Sequence, residues 1–145
     1  MTLEFRFGEE ADLDQIIKLL ADGELPTEDV SPGKIAFIVA LQHDEIIGCI
    51  GLEALGKDGL LRSMAVKHDL RGNGVGQQLF LKLLSYCIQN KITDIHLLTV
   101  DAGRFFESKG FVYTDRSKAP PSIQQTEEFA QLCPSSCSYM VRTLI

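Results

Sequence analysis

Apolar and polar residues alternate over residues 2–7, with Leu3, Phe5 and Phe7 on one side and Glu4 and Arg6 on the other. This period of two predicts a half-buried strand. From Glu9 the period changes, and Leu13, Ile16, Ile17 and Leu20 fall on one helix face, with Gly23 placed to cap its end. Residues 24–33 contain Pro26 and Pro32 and read as a loop. Residues 34–41 form an apolar, β-branched run; a turn at Gln42-His43-Asp44 leads to a second strand over 45–55. A four-residue turn at 56–59 would then return the chain along a third strand, 60–66. That turn pairs Leu55 with Leu60, so Glu53 would face Arg62 and Gly51 would face Met64.

Residues 74–90 predict a long helix whose polar stripe, Gln78, Lys82, Ser85 and Gln89, leaves only a narrow solvated face. An apolar strand over 94–99, a short helix over 102–109 ended by Gly110, and a strand over 111–114 follow. Pro120-Pro121 breaks the chain and can start a further helical stretch towards Leu132. Residues 138–143 alternate again as a closing strand. An antiparallel meander followed by β-α-β indicates an α+β, three-layer fold with a mixed central sheet. Without repeats or a linker, the 145 residues are expected to form one domain.

Composition narrows the functional classes. With 14 basic and 20 acidic residues the net charge is -6, which argues against nucleic-acid binding and against a polybasic membrane binder. The apolar run at 35–41 is seven residues, far short of a membrane span. The first residues lack the basic and apolar regions of a signal peptide. Cys49 and Cys87 sit among apolar neighbours, as free cysteines do in a reducing compartment, so a cytoplasmic location is expected. Cys133 and Cys137 are four apart, but Pro134 between them disfavours a shared helical face. The histidines His43, His68 and His96 are scattered, and no set of residues has metal-ligand spacing.

The chemistry resides in Met64-Ala65-Val66 and, after a short loop, Arg71-Gly72-Asn73-Gly74-Val75-Gly76. A strand leads into alternating glycines and then a helix, which turns backbone N–H groups and the helix dipole towards an anion such as a pyrophosphate. A Walker A loop would need Lys-Ser/Thr where Gln77-Gln78 stands, and a dinucleotide fingerprint would need G-x-G-x-x-G directly after the first strand.

This stretch resembles the acetyl-CoA motif of the Gcn5-related N-acetyltransferases (GNAT), a strand ending in Val followed by Arg/Gln-x-x-Gly-x-Gly/Ala. Phe106-Glu107-Ser108-Lys109-Gly110-Phe111 is similar to that superfamily's aromatic-x-x-x-Gly-Phe signature, and the element order agrees over nearly the whole chain. Three strings, Gly51-Leu52-Glu53, the run from Leu60 to Val66, and Thr126-Glu127-Glu128-Phe129 with Leu132-Cys133-Pro134, resemble small arsenic-resistance-type N-acetyltransferases.

The resemblance implies acetyl-CoA as cosubstrate, no metal, direct transfer to the amino group of a small molecule such as an amino acid or its analogue, and a possible homodimer. It places Arg71 to Gly76 on the pyrophosphate, Met64, Ala65 and Val66 along the pantetheine arm, and Phe105 and Phe106 near the cofactor. Glu53 is the candidate base; a cross-strand salt bridge with Arg62 is the competing reading, and Arg62 could also hold a substrate carboxylate. Phe106 stands where many members carry a proton-donating Tyr, so water, Ser63 or Tyr139 would have to serve the leaving thiolate. Two alternatives stay open: a catalytically weak acyl-CoA sensor, and an enzyme acting on a protein N-terminus or lysine.

Overall fold

The computed structural model describes residues 2–31, 33–132 and 137–144. Seven strands form one sheet in the order β1-β2-β3-β4-β5-β7-β6. They are β1 (Glu4–Phe7), β2 (Ala36–Gln42), β3 (Glu45–Leu55), β4 (Asp58–Val66), β5 (Asp94–Thr99), β6 (Val112–Thr114) and β7 (Ser138–Thr143). Only β4 and β5 are parallel among these pairs. Helices α1 (Leu13–Asp22), α2 (Val75–Gln89), α3 (Gly103–Ser108) and α4 (Pro121–Gln124) complete the mixed α+β fold.

The period-two strands place alternate side chains on opposite faces. Ile38, Ile50, Leu52, Leu61, Ile95, Leu97 and Met140 pack under Val75, Leu79, Phe80 and Leu83 of α2. Phe37, Val39, Cys49 and Ala65 pack on the other side with Ile16 and Leu20 of α1. Pro121 opens α4 at its first position, and the segment continues as a π-helical turn over Glu128–Leu132.

Several expectations are corrected. The β3–β4 turn has two residues, Gly56 and Lys57, with Gly56 at φ +68°, so Leu55 pairs with Asp58. Glu53 therefore faces Leu60, and Gly51 faces Arg62. The β2–β3 turn is His43-Asp44, both with positive φ, as the twist of a two-residue hairpin requires. Gly23 follows α1 at φ -91°, and Glu24 takes the left-handed conformation instead. The solvated face of α2 is broad, since Leu81 and Ile88 are exposed alongside the polar stripe. Phe7 is also exposed, at the sheet edge against Tyr86.

Gly51 on β3, paired with Phe37 of β2 and Arg62 of β4, leaves room for the Ile35 and Phe37 side chains to pack over the strand. A Cβ there would stand 2.8 Å from Ile35 Cγ2, 3.1 Å from Phe37 Cε1 and 3.2 Å from the Arg62 carbonyl oxygen. Gly51→Ala is expected to lower unfolding free energy by roughly 1–3 kcal/mol in urea titrations. Gly33→Ala, where an added Cβ meets nothing within 4 Å, should change it by less than about 0.5 kcal/mol.

Candidate active site

The site begins where β4 leaves β5. Their pairing covers Asp58, Gly59 and Leu60 against Asp94, Ile95 and His96, and ends there. On its other edge β4 stays paired to β3, with Cys49 opposite Ala65 and Gly51 opposite Arg62. Ser63 and Met64 thus share the single partner position of Ile50, which is a β-bulge. Ser63 sits at φ +55°, a conformation uncommon for a residue with a side chain. The bulge bends β4 away from β5, so the backbone of Met64, Ala65 and Val66 has no strand neighbour on that side.

Beyond Val66 the chain forms the glycine turn. Arg71 donates from Nε to the Val66 carbonyl at 3.1 Å, and Asn73 donates from Nδ2 to the Leu70 carbonyl at 3.2 Å. Gly72 and Gly74 hold φ +84° and +80°, and an added Cβ on either would meet nothing within 4 Å. No side chain caps α2, and its first turn holds no acidic residue. Its leading N–H groups are therefore presented to an anion. A Cβ on Gly76 would lie 3.1 Å from Met64 Cε and 4.0 Å from Phe105 Cζ, so Met64 and Phe105 flank this turn. A groove of about 350 Å³ beside it is lined by Leu19, Val66, Lys67, His68 and Arg71, among others.

On the α1 face, two residues past the last β4–β5 pair, lies Arg62, whose side chain is fully buried. Asp29, from the loop after α1, accepts two hydrogen bonds from its Nη1 and Nη2, both at 2.5 Å. Glu53 accepts from Nη1 at 2.7 Å, and Ser63 Oγ accepts from Nε at 3.1 Å. Glu128 Oε1, from the π-helical turn, stands 3.8 Å from Nε. Lys34 Nζ reaches Asp29 at 3.2 Å.

The cluster sorts its acids. Burial pushes the Asp29 carboxyl up, but the hydrogen bonds and charge of Arg62, aided by Lys34, outweigh it and hold it below the usual carboxylate range. Burial likewise opposes the Arg62 charge, and Asp29, Glu128 and Glu53 overcome it. Burial dominates at Glu128, where Arg62 pulls back while Asp29 and Glu53 push the same way, and the carboxyl is pushed up to about 7.

The Glu53–Arg62 pair read from sequence is present, though as a diagonal rather than a directly opposed pair. Arg62 is engaged by Asp29, Glu53 and Ser63, with which a substrate carboxylate would have to compete. Ser63 Oγ is committed to Arg62. Tyr139 Oη lies 2.7 Å from His96 Nδ1, and His96 Nε2 lies 2.9 Å from Asp58 Oδ1. With Asp58 accepting from Nε2, Nδ1 accepts the tyrosine O–H, so that proton is already used. Phe106 packs in the core against Phe105 and Phe111. Cys137 is buried, and Cys133 lies outside the described residues. Sequence reading missed Asp29, Glu128 and the His96 contacts; a pair of acids at Glu127-Glu128 on a helical stretch was the one available signal for Glu128.

A mixed sheet with a parted parallel pair and an anion-receiving helix start defines the acyl-CoA N-acyltransferase class of fold. The acetyltransferase (GNAT) domain model matches residues 33–113, and the chain belongs to that family. Among solved structures, N-acetylglutamate synthase from Neisseria gonorrhoeae, complexed with coenzyme A and N-acetyl-glutamate, is similar at a TM-score of 0.83 and 16% identity. That match covers 100% of this chain and 36% of the synthase, so the chain spans about a third of that protein. Rv2747 from Mycobacterium tuberculosis, complexed with CoA and NLQ, matches at 0.80 and 21% identity, over 98% of this chain and 99% of that one. A GNAT-family acetyltransferase from Staphylococcus aureus Mu50 matches at 0.79 and 21% identity, over 99% and 100%. No curated protein matches. Among the described residues no helix is long and apolar enough to cross a membrane, and no group of side chains could hold a metal ion.

Replacing Arg62 with Leu strands three buried carboxylates and is expected to cost about 3–5 kcal/mol at pH 8 in denaturant titrations. Part of the loss should return on acidification, as the stranded acids protonate. Glu128→Gln is expected to act oppositely. Because the folded carboxyl sits at about 7 against an ordinary 4.5, its contribution is full below pH 4.5 and is lost as pH rises through 7. The variant should therefore exceed the parent at pH 8 by on the order of 2–3 kcal/mol, with the gap closing below pH 5.

Proposed function

We propose that this chain, as a single domain over 1–145, transfers the acetyl group of acetyl-CoA to the amino group of a small molecule. The observation that carries this reading is the parted β4–β5 pair leading into an uncapped α2 behind Gly72 and Gly74. The pyrophosphate would rest on the N–H groups of Arg71 to Gly76. The pantetheine arm would replace β5 as the hydrogen-bonding neighbour of Met64, Ala65 and Val66. An N–H of that edge directed at the thioester oxygen would stabilise the tetrahedral intermediate, typically by about 3 kcal/mol. The acceptor nitrogen attacks the acetyl carbon, the carbon–sulfur bond breaks, and the thiolate leaves.

The acceptor class is supported by neighbours of this fold that hold CoA together with N-acetyl-glutamate or NLQ. The arsenic-resistance-type strings extend the reading to an amino-acid analogue. One observation favours a second reading, a CoA-binding sensor with weak turnover. Phe106 carries no acidic proton, and the Tyr139 hydroxyl is engaged with His96, which leaves Ser63, whose Oγ accepts from Arg62 Nε while keeping its own O–H. A thiolate needs little help to leave, since a free thiol titrates near 8.5, so transfer remains the leading reading.

Free-thiol release from acetyl-CoA across a panel of amino acids, amines and peptide N-termini and lysines tests the two. Amine-dependent release establishes transfer; CoA binding without release on any acceptor overturns it in favour of the sensor. Gly74→Asp is expected to weaken CoA binding at least tenfold by calorimetry, whereas Gly74→Asn, equally suited to the left-handed conformation but uncharged, should retain most of it. Equal affinities for all three proteins would overturn the glycine-turn assignment.

A further inference from the structure

Within the Arg62 cluster, Glu128 is the acid left without a full set of partners. Its Oε2 is buried and has no hydrogen-bond partner among the described residues, whereas Asp29 and Glu53 both accept from Arg62. A buried carboxylate oxygen without a partner costs roughly 1–3 kcal/mol or more, which a fold does not retain for packing alone. Its backbone setting is unusual as well. Glu128 lies on a π-helical turn, a rare conformation that concentrates at functional sites, and its exposed neighbour Glu127 has the same charge without the burial.

The charges around it leave room for one more cation. Arg62 on β4 and Lys34 ahead of β2 face Asp29, Glu53 on β3 and Glu128, three acids against two bases when all are ionised. Arg116, from the link between β6 and α4, is directed to the Phe129 and Cys137 carbonyl oxygens. The position also suits an acceptor, because Arg62 lies two residues beyond the last β4–β5 pair, Leu60 with His96, on the stretch of β4 that leads to the bulge at Ser63.

We infer that Glu128 is the residue that receives the acceptor's ammonium group, through Oε2, and takes its proton before transfer. This rests on the transfer reading above. The balance is simple: R–NH3+ gives one proton to the Glu128 carboxylate and becomes R–NH2, whose lone pair forms the C–N bond as the C–S bond breaks. The thiolate then receives the second nitrogen proton as the amide forms. Glu53, with its Oε1 engaged by Arg62, becomes a positioning residue. A carboxyl pushed up to about 7 is better matched to this exchange than one at its ordinary value. The acceptor class sharpens accordingly, to a molecule that presents a primary ammonium.

The test uses the full chain, 15N-labelled, titrated with n-butylammonium, which stays charged throughout, from pH 5.5 to 9 with NMR shifts as the readout. Affinity should rise about tenfold between pH 6 and pH 8 as Glu128 ionises. Glu128→Gln should lose both the binding and its pH dependence, while Glu127→Gln retains them. Ammonium binding of parental strength and pH profile in Glu128→Gln overturns the assignment. So does a transition that survives in Glu128→Gln and disappears in Glu53→Gln, or the absence of ammonium binding in the parent. Calorimetric titration of CoA on the same proteins separates the two readings. Glu128-dependent ammonium binding in a chain that does not bind CoA overturns transfer while upholding the ammonium site.

Discussion

The guanidinium of Arg62 ties together four parts of the chain, of which only β3 and β4 are joined by backbone pairing. Asp29 comes from the loop after α1, Glu53 from β3, Ser63 from the bulge and Glu128 from the segment before β7. Arg62 itself stands on β4 two residues beyond the last pair with β5. A strand that loses its neighbour on one edge needs lateral support from elsewhere if the gap is to stay open. The ionic cluster provides it from the α1 face, while the α2 face is filled by Leu61, Leu79 and Leu97 in ordinary apolar packing.

Such a cluster is a poor way to stabilise a fold and a good way to specify one. Desolvating several charges costs about as much as their attraction returns, and apolar replacements of the same volume often raise stability. Arg62 satisfies four of its five N–H groups with fixed geometry, which pins the loop carrying Asp29 over the sheet. The bulge at Ser63 is held by the same contacts. Its hydroxyl meets Arg62 Nε, and its carbonyl accepts from the Cys49 thiol at 3.3 Å. The strained φ of Ser63 is thus fixed from both sides, as a distortion that shapes a site has to be.

What could be read from the sequence follows from which interactions are local. The glycine turn was legible because its conformational demands fall on consecutive residues, and Gly72 and Gly74 do take positive φ. The closing strand at Ser138–Thr143 was legible because alternation is local too. The β3–β4 register was not, since a two-residue turn at Gly56-Lys57 and a four-residue turn differ little in composition. The Glu53–Arg62 contact emerged despite the wrong register, because both registers leave the two side chains on one face. Asp29 was hidden by sitting 33 residues from Arg62 in a loop whose prolines drew attention. His96 was hidden because its partners, Asp58 and Tyr139, lie 38 and 43 residues away on other strands.

The distribution of charge explains how a chain of net charge -6 can accommodate a polyphosphate. At the start of α2 the attraction comes from backbone N–H groups, with no acid in the first turn to oppose it. On the α1 face the carboxylates are gathered around Arg62, behind the bulge and away from that helix end. The same strand therefore separates the N–H-rich start of α2 from a buried acidic cluster. The bulge at Ser63 marks the boundary between them.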